Sequence, residues 1–211
     1  GNVCNDIEAC EDGSVWFGME NLVRYKDGQW TVFEGIYGSK TAMDRQGNIW
    51  ASASRDTILF FDGVLWKRYS LKKQGFPDIY NITGIETDNA DKVWISTNKG
   101  LIKISDGIWK MLTEQDGVSI ERLKLLAKDR NGDIWTAIPE GIAQINDDSL
   151  KVVPFEHVVG GVTDMTFDND NTLWILTNYG LWSYDGTTFT PHDITEDGEL
   201  YMPQSCAVDG D

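Results

Sequence analysis

Four short β-rich runs make up the segment TGIETDNADKVWISTNKGLIKISDGIWKML, Thr83–Leu112. The runs GIETD, VWIST, LIKI and WKML are separated by NADK, NKG and SDG, which are rich in turn-forming residues. Short β-rich runs divided by Asn, Asp and Gly are typical of successive β-hairpins. The segment is therefore predicted to form a sheet of four antiparallel strands.

This unit recurs along the whole chain. A turn, an aliphatic residue and a tryptophan occur together five times, ending at Trp16, Trp50, Trp94, Trp135 and Trp174, in steps of 34 to 44 residues. A four-stranded unit with a period of about 40 residues is typical of a propeller blade. We predict an all-β fold, a β-propeller of five blades with four antiparallel strands each, as a single domain over residues 1–211.

The repeats also share their turn chemistry. The residue three before each tryptophan tolerates positive φ: Gly13, Gly47, Asp91, Gly132 and Asn171. Aspartates stand six residues before four of the tryptophans and are expected to cap the turn: Asp44, Asp88, Asp129 and Asp168. The third hairpin places an aromatic residue at a constant position in four repeats: Trp30, Trp66, Trp109 and Phe189. Repeat four departs, with NDDSL at Asn146–Leu150. The repeated tryptophans are interpreted as packing residues between blades.

The C-terminal sequence MPQSCAVDGD begins a sixth copy of the pattern. The innermost strand is thus present twice, near residues 7–11 and again near residues 204–208. Either copy could complete a five-bladed ring, which is the arrangement we expect, because closure removes exposed sheet edges. The alternative is that the chain is part of a longer propeller.

Charge and cysteine content exclude several classes of partner. The net charge is −16, from 34 acidic and 18 basic residues, which disfavours nucleic acids and anionic membranes. The sequence contains no run of 18 apolar residues, so no membrane-spanning helix is predicted. The cysteines Cys4, Cys10 and Cys206 lack metal-binding spacing and are interpreted as buried thiols, with a bridge from Cys4 or Cys10 to Cys206 as the alternative.

The repeated pattern D-x-x-G-x-I-W, T-N-x-G-L and DG plus an aromatic resembles the two-component regulator propeller repeat. The best matches are KDRNGDIW (128–135), WISTNKGLIKISDGIWKML (94–112) and WILTNYGLWSYDGTTF (174–189); GFPD (75–78) resembles the segment before the innermost strand in that family. The resemblance implies an extracytoplasmic sensor-type domain, periplasmic, secreted or on a surface lipoprotein. It implies no catalytic motif.

Alternating strand direction gives each blade two different ends. The turns after strands one and three form what we call the Asp-turn end, which is short and uniform. The loops after strands two and four form the loop end, which varies between repeats and is the predicted binding end. Its candidate ligand-binding residues combine aromatic, amide and basic groups suited to a neutral polar ligand such as a sugar: Tyr37, Arg55, Phe76, Tyr80, Asn98, Lys99, Asn178, Tyr179 and Tyr201.

No catalytic residue, metal site or cofactor is predicted. Asp129 to Asp133, with Glu140 further on, resembles half a calcium loop, but Ile134 stands where an EF-hand needs glycine. The histidines His157 and His192 lie in different repeats without a partner in sequence, and are interpreted as loop residues.

Three functions remain in competition. The first is a sensor-type binding module for a small polar ligand, most simply a glycan fragment. The second is a scaffold that docks a protein partner, or a fragment of a larger propeller. The third is a lyase acting on polysaccharide, in which a histidine would serve as the base.

Overall fold

The computed structural model describes residues 4–10, 12–115, 118–119, 123, 125–146, 149–156, 161–196 and 199–200. The fold is all-β: a β-propeller of five blades, each a sheet of four antiparallel strands in sequential order. The predicted fold class is confirmed. The chain packs as two compact units, one holding blades 1 to 3 and the other holding blades 4 and 5.

The first unit contains twelve blade strands. Blade 1 has β1 (Asp6–Ala9), β2 (Val15–Gly18), β3 (Leu22–Lys26) and β4 (Gln29–Phe33). Blade 2 has β5 (Thr41–Met43), β6 (Ile49–Ser54), β7 (Thr57–Phe61) and β8 (Trp66–Ser70). Blade 3 has β9 (Ile82–Thr87), β10 (Val93–Thr97), β11 (Gly100–Ser105) and β12 (Ile108–Leu112). The four strands of blade 3 are those predicted from its sequence.

The second unit contains eight blade strands. Blade 4 has β15 (Leu126–Lys128), β16 (Ile134–Ile138), β17 (Gly141–Asn146) and β18 (Ser149–Pro154). Blade 5 has β19 (Val162–Phe167), β20 (Leu173–Thr177), β21 (Gly180–Tyr184) and β22 (Phe189–His192). Two small hairpins follow the outer strands of blades 3 and 5: β13 (Glu114–Gln115) with β14 (Val118–Ser119), and β23 (Thr195–Glu196) with β24 (Glu199–Leu200). Within the described residues, no helix has the length and apolarity that a membrane span requires.

Blade 4 forms its outer hairpin although its sequence departs from the pattern. Leu150 pairs with Ile145, the position at which Trp109 pairs with Ile104 in blade 3. Leu150 is buried, so an aliphatic side chain replaces the aromatic ring without loss of the sheet. The fourth strand therefore depends on register and burial more than on the aromatic residue itself.

Apolar side chains fill the spaces between neighbouring blades of one unit. The first cluster joins Trp16 of blade 1 to Ile49 and Phe61 of blade 2. A second joins blades 2 and 3 and includes Ile58 and Ile95; a third joins blades 4 and 5 around Trp135. Three of the five repeat tryptophans, Trp16, Trp94 and Trp135, are buried, which fits their predicted packing role.

The capping aspartates make the predicted turn bonds and one further bond. In blade 4 the Asp129 Oδ1 atom accepts the backbone N–H groups of Asn131 and Asp133, each at 2.9 Å. Its Oδ2 atom accepts the indole N–H of Trp135 at 3.1 Å. The same bond joins Asp44 to Trp50, Asp88 to Trp94 and Asp168 to Trp174 at 2.8–3.2 Å. One carboxylate thus caps the turn and fixes the tryptophan. The five residues predicted to adopt positive φ do so.

Blade 1 replaces this carboxylate with Cys10. The turn keeps the same backbone bonds, from Cys10 N to Ser14 O and from Gly13 N to Cys10 O. Asp12 accepts the Ser14 N–H, and the Ser14 hydroxyl accepts the Trp16 indole N–H at 3.2 Å. The prediction of buried thiols is wrong for Cys4, which is an exposed free thiol; Cys10 is half-buried, and Cys206 lies outside the described residues.

Hydrogen bonds shift the pKa of two of these turn carboxyls. The Lys26 ammonium, 2.6 Å from Asp12 Oδ2, and the Ser14 hydroxyl lower the pKa of Asp12 to about 2. Burial acts to raise the pKa of Asp168, but the N–H groups of Trp174, Thr172 and Asp170 outweigh it, and the pKa lies below the usual value.

Arginines connect the Asp turns of neighbouring blades. Arg45 of blade 2 donates its backbone N–H to Asp91 Oδ1 of blade 3 at 3.3 Å, and its guanidinium to Asn89 O at 2.8 Å. Arg130 of blade 4 does the same to blade 5, through the Asn171 side chain and the Asn169 carbonyl. The residues of positive φ at the receiving turns are therefore also hydrogen-bond acceptors.

Candidate functional site

The longest loop-end connection whose residues are all described joins β8 to β9 over residues 71–81. Its two apolar anchors are Leu71, which is fully buried, and Ile79. The Leu71 N–H donates to Asp56 O of the preceding turn at 2.7 Å, and the Phe76 N–H donates to Leu71 O at 2.9 Å. Gly75 has φ +98° and allows the chain to reverse before Phe76. The sequence GFPD is thus held in a compact turn against the blade.

The Asn98 side chain holds the C-terminal part of this loop by hydrogen bonds. Its side-chain Oδ1 accepts the N–H groups of Tyr80 at 3.0 Å and Asn81 at 3.1 Å, and its Nδ2 donates to Asp78 O at 3.4 Å. The residue is only 9% exposed. Because these bonds occupy the amide, Asn98 positions the loop, and a direct contact between Asn98 and a ligand stays a prediction.

A cavity of about 260 Å³ lies between this loop and the outer strand of blade 3. Its lining residues are Gly75, Phe76, Pro77, Asp78, Ile79, Lys99, Met111 and Thr113. Phe76, Ile79 and Met111 also belong to the apolar cluster between blades 2 and 3. The cavity floor is therefore part of the folded core, and its shape is set before any ligand arrives.

Polar groups surround this apolar floor. Lys99 and Asp78 are exposed, and within the described chain neither the Lys99 ammonium nor the Asp78 carboxylate has an ion-pair or hydrogen-bond partner. Lys99 is placed by its backbone N–H, which donates to Thr97 Oγ1 at 3.1 Å. An apolar surface beside a free donor and a free acceptor is the usual composition of a small-molecule site.

Two of the nine predicted binding residues, Phe76 and Lys99, line this cavity. Asn98 and Tyr80 adjoin it: the Tyr80 backbone is held by Asn98, while its ring is 61% exposed. Tyr37 and Arg55 are exposed on other loop-end segments of the first unit and do not line it.

The remaining predicted residues belong to the second unit or lie outside the described chain. Asn178 and Tyr179 stand in the turn of blade 5 that matches Asn98 and Lys99, and both are exposed. The Tyr179 N–H donates to Thr177 Oγ1, as Lys99 does to Thr97, so the two turns share one backbone geometry. Tyr201 is outside the described residues.

Six of the lining residues are not among the predicted binding residues: Gly75, Pro77, Asp78, Ile79, Met111 and Thr113. Met111 follows the ordinary alternation of an outer strand, and its place in the cavity results from the way loop 71–81 folds over that strand. The one sequence feature that could have identified any of these lining residues is the GFPD segment, which contains Pro77 and Asp78.

His192 does not line this cavity. His192 is half-buried in blade 5, where its Nε2 atom is 2.8 Å from Ser183 Oγ and its ring lies 4.7 Å from that of Trp174. His157 is outside the described residues. Among the residues with described side chains, no group of three or more His, Cys, Asp or Glu could hold a metal ion.

Comparisons with known proteins identify the fold and no family. No family model matches the sequence, and no curated protein matches it. A solved structure of virginiamycin B lyase from Staphylococcus aureus, an inactive variant with quinupristin, is similar to the chain with a TM-score of 0.75 and 15% identity. The match covers 97% of this chain and 73% of the lyase.

Two extracellular domains from B. thetaiotaomicron are also similar. One, assigned to a putative one-component system, has a TM-score of 0.73 and 20% identity over 90% of this chain. The other, assigned to a putative hybrid two-component system, has a TM-score of 0.70 and 17% identity over 92% of this chain. The matches span only 30% and 28% of those domains. At these identities the likeness concerns the fold.

Proposed function

We propose that the protein is a ligand-binding module of the extracytoplasmic sensor type, with repeats of the two-component regulator propeller kind. Its ligand is a small polar molecule, most simply a fragment of a glycan, and its site is the cavity beside loop 71–81. The module acts at the cell surface, in the periplasm or outside the cell, and its chemistry is recognition without a covalent step.

One observation carries this proposal: a preformed cavity with an apolar floor and unpaired polar groups at its mouth. Phe76 offers a ring to an apolar sugar face, while Lys99 and Asp78 offer a donor and an acceptor to hydroxyl groups. The volume of about 260 Å³ is just below the range of drug-sized sites, about 300–1,000 Å³, and suits one sugar ring.

The kind of structural neighbour supports the cellular location. Extracellular domains of bacterial signalling systems share the fold, and the turn sequences resemble the repeats of such sensors. Because the chain spans under a third of those domains, the signalling activity of the whole proteins is not transferred to it.

The test begins with a glycan array and continues by calorimetry on each ligand found. Phe76→Ala and Lys99→Ala should each weaken binding by about tenfold, since each removes one recognition group from the cavity. Lys72→Ala is the matched control, because it removes an exposed lysine of the same loop that does not line the cavity and should leave the affinity unchanged. Opposite charges at the mouth predict a weak dependence on salt.

Two results would reject the proposal. If no neutral or acidic glycan binds, glycans are rejected as the class of ligand. Binding that Phe76→Ala and Lys99→Ala both leave unchanged would remove the site, and the scaffold function would then be the better hypothesis.

A further inference from the structure

The cavity beside loop 71–81 carries one charge of each sign. Asp78 lines it from the loop, and Lys99 lines it from the turn between β10 and β11. Both residues are exposed, and within the described chain they form no ion pair with each other or with any other residue. The two charges are therefore available to a molecule that enters the cavity.

Other charged residues of the first unit are bound within the fold. Three lysines pair with carboxylates at 2.6–3.5 Å: Lys26 with Asp12, Lys40 with Asp6, and Lys67 with Asp62. In each of these pairs the carboxylate also accepts a backbone N–H group. The Asp78 carboxylate, in contrast, accepts no hydrogen bond from the residues that the structure describes. Its charge is not used by the fold.

Asn98 fixes the backbone positions of both charged residues. Its Nδ2 atom donates to the Asp78 carbonyl at 3.4 Å, and Lys99 is the next residue along the chain. The Lys99 N–H donates to Thr97 Oγ1 at 3.1 Å, and Ile79, which follows Asp78, is buried. The backbones that carry the ammonium and the carboxylate are thus placed before a ligand arrives.

The apolar floor limits how these two charges can be satisfied by a ligand. Phe76, Ile79 and Met111 form the floor, and their side chains have no N–H or O–H donor. A ligand that covers the cavity takes water away from the ammonium and the carboxylate, which costs free energy unless the ligand replaces it. A ligand with the complementary charges does so best, because it adds a Coulombic attraction to each hydrogen bond.

The net charge of the chain disfavours a ligand with only a negative charge. The chain carries a net charge of −16, so its field repels anions at long range. A ligand with only a positive charge would leave Lys99 without a partner. A zwitterion has no net charge to be repelled and can pair with both residues, and its binding should depend only weakly on salt.

We propose that the ligand of this cavity is a small zwitterion, whose ammonium pairs with Asp78 and whose carboxylate pairs with Lys99, while its apolar part lies on Phe76. This inference rests on the proposed function, because it specifies the ligand of the same site. Two kinds of molecule share this chemistry. One is a sugar ring with a free amino group and a carboxylate, and the other is a free amino acid with an apolar side chain.

Calorimetry on the full chain with matched probes tests this inference. Muramic acid carries both charges, N-acetylmuramic acid lacks the ammonium, glucosamine lacks the carboxylate, and glucose lacks both; L-leucine represents the amino acids. Muramic acid should bind about tenfold more tightly than N-acetylmuramic acid and about tenfold more tightly than glucosamine, because each analogue lacks one charged hydrogen bond. Glucose should bind most weakly of the four sugars.

Uncharged variants of similar size assign each ligand charge to its partner. Asp78→Asn should bring muramic acid and N-acetylmuramic acid to similar affinities, and Lys99→Gln should do the same for muramic acid and glucosamine. Lys72→Gln is the matched control, since Lys72 is an exposed lysine of the same loop that does not line the cavity, and it should keep both ratios. Circular dichroism verifies that each variant is folded.

The outcomes separate this inference from the proposed function. If L-leucine alone binds and both variants weaken it, recognition of a zwitterion is supported, and the glycan class is rejected. If glucose binds as tightly as muramic acid and Phe76→Ala weakens both, the inference is wrong and the proposed function stands. The inference is also wrong if Asp78→Asn and Lys99→Gln leave both ratios unchanged. If no probe and no glycan binds, both proposals are rejected.

Discussion

The two ends of the blades use similar residues for opposite purposes. At the Asp-turn end, the carboxylates of Asp44, Asp88, Asp129 and Asp168 are occupied by the turn and by a tryptophan. At the loop end beside blade 3, Asp78 and Lys99 face a cavity without partners in the described chain. The uniform sequence at the Asp-turn end thus reflects carboxylates whose hydrogen bonds stabilise the fold. Variable sequence at the other leaves polar groups available for a ligand.

The largest loss of stability is expected when a buried repeat tryptophan is replaced. Trp94 is 1% exposed and donates to Asp88, so Trp94→Ala leaves a cavity and should lower the free energy of unfolding by about 3–5 kcal/mol. Trp30→Ala, at an exposed tryptophan, should cost under about 1 kcal/mol. Denaturant unfolding of dilute protein measures both. Equal losses would contradict the assignment of Trp94 to the core.

A smaller loss is expected when one turn carboxylate is removed. Asp129→Ala deprives three N–H groups of their acceptor and should cost about 2–3 kcal/mol, because the turn loses its cap and the buried Trp135 indole loses its partner. Asp78→Ala at the loop end should change stability by about 0.5 kcal/mol or less. If the two variants unfolded alike, the contrast between the ends would have no energetic basis.

Two neighbouring residues of the blade 3 turn sharpen the comparison within the loop end. Asn98→Ala frees the Tyr80 and Asn81 N–H groups and should cost about 1–2 kcal/mol, whereas Lys99→Ala, at the exposed next residue, should cost about 0.5 kcal/mol or less. Hydrogen exchange in residues 71–81 should rise in the first variant alone. Unchanged exchange there would show that Asn98 does not hold the loop.

The smallest change in stability is expected when the pH is lowered. Asp12 has a folded pKa of about 2 against an ordinary value of 3.8, so its contribution to stability is present above pH 3.8 and disappears as the pH falls toward 2. Asp168, whose pKa is also lowered, changes in the same direction. Asp12→Asn should flatten the loss of stability over this pH range. An identical pH profile for the variant and the parent chain would contradict the Asp12–Lys26 interaction.

The fold could be predicted because its signals are local and repeated. Turn residues of positive φ and the spacing of the tryptophans locate all four strands of blade 3. The bond from four of the indoles to the aspartate six residues earlier could not be predicted, since it depends on side-chain direction across a turn. Of the predicted binding residues, only Phe76 and Lys99 line the cavity. Its other walls come from residues such as Met111, which a loop brings together from positions far apart in sequence.

Within the described residues, the two arginine contacts between Asp turns lie two blades apart, so donor and acceptor blades alternate from blade 2 to blade 5 with twice the period of the blade. Arg45 and Arg130 are 85 residues apart, and each reaches a non-glycine residue of positive φ in the following blade. A donor blade and an acceptor blade therefore form a module of two. Gene duplication in steps of two blades would preserve every such contact, whereas duplication of a single blade would break the alternation. A consensus array assembled from two-blade modules should accordingly melt at a higher temperature than an array of equal length assembled from one blade type.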